Sequence, residues 1–245
     1  MAPSLGQRCV AEFVGTFGLL VAVTGAALFS LNLTFGDPDA RVMLISFALG
    51  LGVLGMAYAF GDVSGASFNP AITIGVWAAG RMSARDALAY IVSELLGGIV
   101  GVATIAGVAY GSSSLWASAT SSSVALAAQG YSGNGSPYTV GAGSVFLLEV
   151  VFTFFLVVVA LFATRSNGST KNLAPVGIAL TLAMTNLVAI PIDGASINPA
   201  RSFAPAILSA YWSPDRWAIT QDWIFWVAPI VGGLIAAAVE RMLRD

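Results

Sequence analysis

The sequence predicts an all-α membrane protein in which six transmembrane helices and two re-entrant half-helices form an inverted repeat. Three observations lead there. Of the 245 residues, 57% are apolar and only 9% charged, against about 25% charged in a soluble domain, and the mean hydropathy is +0.85. Six apolar runs are each near or above the ~20 residues that a helix needs to cross the hydrocarbon core. The second half of the chain then repeats the motifs of the first.

The apolar runs cover about residues 9–33, 42–60, 85–110, 143–164, 174–192 and 223–240. The first is too long for the apolar core of a signal peptide and has a counterpart after residue 143, so it is expected to stay in the mature protein. With six crossings, Arg8, Arg81, Arg85, Arg165, Lys171, Arg241 and Arg244 fall on one side, and Arg41 and Arg216 on the other. Basic residues mark the cytoplasmic face, which implies a multi-pass protein of the cell membrane with both termini in the cytoplasm. A net charge of −2 argues against nucleic acid as a partner. There is no histidine and one cysteine, Cys9, which removes a disulfide, a His-based catalytic dyad and a His/Cys metal site. Cys9 reads as a small buried apolar residue.

The repeat is visible in three places. Ala11-Glu12-Phe13 matches Leu148-Glu149-Val150, Ser64-Gly65-Ala66-Ser67-Phe68-Asn69-Pro70-Ala71 matches Asp193 to Ala200, and Tyr90 to Gly98 matches Phe225 to Gly233. Each copy holds three crossings, and an odd number forces the second copy into the membrane upside down. The chain thus reads as one transmembrane domain, 1–245, with a first repeat at about 8–110 and a second at about 143–242. The joint, 111–142, is uncharged and rich in Ser and Gly. On the charge assignment it is extracellular, either an ordered cover over the pore mouth or a flexible linker.

An Asn-Pro step starts a helix, because Asn caps free backbone N–H groups and Pro suits the first helical position. The apolar stretches that follow, Ile72 to Ala79 and Ser202 to Ala210, are about half a crossing long. Non-helical backbone at membrane depth is tolerated where it is buried in protein or lines an aqueous cavity, so the loops 61–68 and 192–197 are expected to line a pore. Its centre would be Asn69, Pro70, Ala71, Asn198, Pro199 and Ala200. There two positive half-helix ends converge, and the Asn amides can donate hydrogen bonds to a passing water.

Ionisable groups inside membrane segments need partners. Glu12 and Glu149, at equivalent positions, are read as acceptors for the re-entrant loop of their own half, with a proton relay as the alternative. Glu94, whose counterpart is Pro229, is either protonated or bonded to its loop. Arg201, directly after the second Asn-Pro-Ala, is expected to donate to the permeating molecule and repel cations. Gly50, Gly52, Gly55, Gly97, Gly98, Gly101, Gly232 and Gly233 mostly suggest close helix contacts, and Trp212, Trp217, Trp223 and Trp226 are expected to include interfacial anchors while most aromatic residues serve packing.

The paired Asn-Pro-Ala motifs, the Ser-Gly-Ala lead-in, the Ala-Glu-Phe start and Asn198 to Phe203 (NPARSF) resemble the aquaporin, or major intrinsic protein, family along essentially the whole chain. The resemblance implies one pore per protomer, a homotetramer and a narrow filter anchored by Arg201. The other filter positions map to Leu49, Asn186 and Ala195, where strict water channels carry an aromatic residue and a histidine at the first two. In the family, the position resembling Glu94 is usually Gln. Ser202, Ala206 and Phe225-Trp226 are nonetheless of the water-channel type, so filter and branch markers disagree about solute width.

The function expected is a passive channel for water and small neutral solutes, surrounded by lipid, with no cofactor and no enzymatic activity, excluding ions and protons. A glycerol- or urea-type facilitator shares the fold. A secondary transporter would need a coupling-ion site or titratable relay, a membrane enzyme a nucleophile, base and orienting group. A structural junction protein of the same fold would not conduct.

Overall fold

A computed structural model describes residues 2–30, 37–135, 138–165, 171–212 and 215–244. Its long helices are α1 (Leu5–Phe29), α2 (Pro38–Ser64), α4 (Ala84–Tyr110), α6 (Ala142–Ala163), α7 (Ala174–Asp193) and α10 (Ile224–Met242). With α10 extended by the short α9 (Trp217–Gln221), six helices among the described residues are long and apolar enough to cross a membrane. Two shorter helices, α3 (Pro70–Ala78) and α8 (Pro199–Ser209), begin at the two Asn-Pro-Ala motifs. The re-entrant loops are shorter than expected, because α2 runs on to Ser64 and α7 to Asp193. Gly65 and Gly194 stop these helices at φ +92° and +86°, the left-handed C-cap that glycine adopts without a side-chain clash.

The halves pack alike. α1 lies against α4 as α6 lies against α10, and α2 meets α7 between them. A Cβ on Gly97 would stand 2.3 Å from the carbonyl oxygen of Phe13, and one on Gly232 2.4 Å from that of Val150, so both pairs touch backbone to backbone. The next glycines interlock the halves. Gly98 of α4 faces the carbonyl of Ala200, at 3.1 Å from a Cβ, and Gly233 of α10 that of Ala71, at 2.7 Å. Each half-helix is therefore seated on the last long helix of the other half. Gly55 departs from the sequence expectation, with nothing within 4 Å of its Cβ position.

One face gathers the basic residues. Arg8 pairs with Asp86 at 3.0 Å, while Arg81, Arg165 and Arg244 converge on the buried carboxylate of Glu240. Arg81 and Arg244 also cap helix ends by donating to the carbonyls of Leu161 and Ala79. The side chain of Lys171 lies outside the described residues. Arg41, at the opposite face, donates to the carbonyl of Ala27 at 3.0 Å.

Among its described residues the 111–142 joint is ordered. It forms α5 (Ser113–Ala119) and a 3-10 turn at Ala125–Ala127, with Ala125, Leu126, Ala128 and Gln129 buried. Trp217 is buried against this joint and donates its indole N–H to the carbonyl of Ser122 at 2.8 Å, so it is a core residue and not an interfacial anchor. Trp212 and Trp223 are exposed. Cys9 is half-buried.

Candidate functional site

Each re-entrant loop hangs on one buried glutamate. Glu12 accepts from the backbone N–H groups of Ser67 at 3.1 Å and Phe68 at 2.6 Å. Glu149 accepts from Ser196 at 2.8 Å and Ile197 at 2.7 Å. Those four donors sit at equivalent repeat positions, so the loops share one geometry. It includes left-handed backbone at residues that resist it: Ala66 and Phe68 in one loop (φ 55° and 50°), Ala195 and Ile197 in the other (φ 54° and 57°). Such a conformation costs roughly 1–2 kcal/mol per residue with a Cβ, which the charge-assisted bonds to the carboxylates offset.

The two half-helix N-termini meet through a crossed pair of bonds. Asn69 Nδ2 donates to the carbonyl of Ile197 and Asn198 Nδ2 to that of Phe68, both at 2.9 Å. Their side-chain oxygens cap α3 and α8 by accepting from Ala71 at 2.8 Å and Ala200 at 2.9 Å. A side-chain amide has two N–H donors. One of each is therefore spent on fixing the loops together, which leaves the second outside that crossed pair.

Arg201 lies in the first turn of α8, 3% exposed. It donates Nη1 to the carbonyl of Ala127 at 2.8 Å and Nη2 to that of Gly194 at 3.4 Å. The Ala127 carbonyl is presented by three successive left-handed residues, Ala125, Leu126 and Ala127 (φ 43°, 57° and 67°). Asn186 turns its amide N–H back to the carbonyl of Leu182 on its own helix at 2.9 Å, and its Oδ1 has no donor among the described residues. Leu49, Asn186 and Ala195 are all buried.

Two cavities flank this layer. The one on the arginine-rich face has about 670 Å³ and is lined among others by Ala57, Ser67, Tyr90 and Ile178. The opposite one, about 590 Å³, is lined among others by Ile45, Ala127, Ile190, Gly194 and Arg201. Two helical stripes join them. On α2, Ile45, Leu49, Val53 and Ala57 follow each other at i+4, and on α7 so do Ile178, Leu182, Asn186 and Ile190, each set on one helix face. The crossed Asn pair and Arg201 thus stand between two vestibules that open to opposite faces.

The family model for the major intrinsic proteins matches residues 2–240. The chain belongs to the major intrinsic protein family. It is 38% identical over 237 residues, 97% of either chain, to Aquaporin Z of Photorhabdus laumondii subsp. laumondii. In fold it is similar to the aquaglyceroporin from Plasmodium falciparum, with a TM-score of 0.80 at 21% identity over 98% of this chain and 97% of that one. This major intrinsic protein is a passive multi-pass membrane channel and not an enzyme.

Three contributors to the site were not singled out from the sequence. Ala127 acts through a backbone carbonyl, Gln129 packs on Gly194, and Asp193 accepts from the backbone N–H of Ala195 at 2.8 Å. Only Asp193 carried a signal, as a carboxylate inside an apolar stretch. The placement of Ala195 beside Gly194, with Cys9 in the first turns of α1 on the other face, carries a prediction about thiol reagents. Wild-type water flow should resist mercurials, and Ala195→Cys should make it sensitive. Osmotic shrinkage of vesicles with and without the reagent checks this, and block of the wild type that Cys9→Ser relieves would contradict it.

Proposed function

We propose that this channel conducts water, together with small neutral solutes bearing a hydroxyl or amide, and excludes ions and protons. The observation that carries the reading is the crossed Asn69–Ile197 and Asn198–Phe68 pair. It sets two positive helix ends and two free amide N–H groups at the single layer between the vestibules. A water held there accepts two hydrogen bonds and points its own protons away along the file, which breaks proton relay. Arg201, Leu49, Asn186 and Ala195 form the selectivity filter in this reading, and Glu12, Glu149 and Glu94 support the loops. The whole chain acts as one channel domain of two inverted repeats. The basic face lies in the cytoplasm, so both termini do too, in the cell membrane. Four copies assemble in the lipid, as the family resemblance implies, which the mass of the detergent-solubilised particle tests.

Leu49 and Ala195 leave more room beside Arg201 than an aromatic residue and a bulkier side chain would, and Asn186 keeps polar atoms at the wall. The expected result in proteoliposomes is fast osmotic water flow plus passage of at least one of glycerol, urea or hydrogen peroxide. Leu49→Phe with Asn186→His should suppress the larger solute more than water. Full water flow with none of the three solutes above the lipid background would show that the filter is as narrow as in a strict water channel. No water flow would reject the proposal outright.

A further inference from the structure

Both halves of the molecule bury a second carboxyl beside the loop-holding glutamate, and only one half supplies a cation. In the second half Glu149 and Asp193 both interact with Arg201. In the first, Glu94 of α4 lies within interaction distance of Glu12 and beside the backbone of Asn69. Both carboxyls are fully buried. The groups that face them are Ser64 from α2, Thr73 from α3 and Tyr90 from α4, and Tyr90 interacts in turn with Arg8 and Cys9, about one turn away on α1. Arg8 is committed elsewhere, to Asp86 at 3.0 Å and the Tyr90 ring at 5.9 Å. Among the described residues no cation contacts the pair.

The hydrogen bonds identify where a proton is missing. Both oxygens of Glu12 are taken by Ser67 and Phe68. Glu94 accepts from the Thr73 hydroxyl at 2.6 Å through Oε1, while Oε2 is buried without a donor. Two adjacent ionised carboxyls in a buried site with no cation among the described residues cannot both persist. We infer that Glu94 and Glu12 share one proton, carried on Glu94 Oε2, and that this proton fastens the first Asn-Pro-Ala segment and makes it sensitive to alkali. Its loss, with the Glu94 O–H bond broken and the proton taken by hydroxide in the vestibule lined by Ser67 and Tyr90, leaves two negative charges side by side. Their repulsion pulls Glu12 from Ser67 and Phe68, and the Phe68 carbonyl is the acceptor for Asn198. Glu94 is then a positioning residue, and its effect on flow rests on the proposal that this loop borders the lumen.

The test joins infrared spectroscopy to pH-dependent water flow, with the full-length protein in proteoliposomes. At neutral pH the wild type should show the carbonyl stretch of a protonated carboxyl. The contribution of one such carboxyl should be lost in Glu94→Gln and retained in Asp193→Asn, whose Oδ2, like Asp222 Oδ1, is also buried without a donor. Wild-type water permeability should fall about threefold or more from neutral to alkaline pH as the proton leaves. Glu94→Gln, whose amide donates to Glu12 and accepts from Thr73, should conduct at neutral pH and lose that dependence. A protonated-carboxyl stretch undiminished in Glu94→Gln, or the same alkaline decline in both proteins, would overturn the inference. If the wild type passes no water at any pH, the channel proposal fails while the infrared comparison still decides where the proton sits.

Discussion

Arg201→Val should raise cation conductance about a hundredfold while water flow changes by no more than about twofold. At ~5 Å and an effective dielectric of about 20, a fixed positive charge repels a monovalent cation by roughly 3 kcal/mol. With about 1.4 kcal/mol per tenfold in rate, that is two orders of magnitude. The charge is fixed because the carbonyls of Ala127 and Gly194 hold the guanidinium from two sides, so a solute cannot push it away cheaply. Glu149 and Asp193 interact with the same group, which makes the hundredfold figure the upper end of the expectation. Neutral water loses one hydrogen-bond donor and gains space, two effects of opposite sign. The measurement is cation and proton flux through proteoliposomes matched for water permeability. A wild-type ion conductance equal to that of the variant would sink the electrostatic barrier.

The parts of this architecture that local chemistry fixes were legible in the sequence. Run length and apolarity place the six long helices. Asn69-Pro70 and Asn198-Pro199 mark the starts of α3 and α8, because cap and first-turn preferences are properties of those residues alone. What escaped depends on distant partners. Phe68 and Ile197 adopt left-handed backbone that neither side chain favours, and the glutamates that hold them sit 56 and 48 residues away. Ala127 contributes a carbonyl, which carries no side-chain signature. Which of the four tryptophans pack inside was not legible either, because Trp217 is buried only once the joint folds over it and supplies the Ser122 carbonyl for its indole. Glu240 gives no local hint that three arginines from separate segments will meet on it.

Gly97→Ala and Gly232→Ala should each destabilise the protein by about 3 kcal/mol or more, at the upper end of what overpacking costs. Many glycines in membrane helices tolerate alanine, so the claim rests on what the added methyl would meet. At these two positions it is backbone: the carbonyl oxygens of Phe13 and Val150, at 2.3 Å and 2.4 Å. A backbone carbonyl inside a helix cannot rotate aside, so α1 must part from α4, or α6 from α10, by roughly 1 Å to reach ordinary contact. The separation is felt at the pore, because Phe13 follows Glu12 and Val150 follows Glu149 in the chain. Moving either helix drags a carboxylate off the two N–H groups that hold its re-entrant loop, and each N–H left buried without an acceptor costs about 1–3 kcal/mol. Gly55→Ala is the control. Nothing lies within 4 Å of its Cβ position, and alanine is the better helix former by about 0.5–1 kcal/mol. Thermal unfolding of the purified variants, with vesicle water flow in parallel, should therefore rank Gly55→Ala at or above wild type and the other two well below it. A Gly97→Ala protein as stable and as conductive as Gly55→Ala would mean that α1 and α4 do not touch at this crossing, and that Glu12 is held in place by something other than the contact between their backbones.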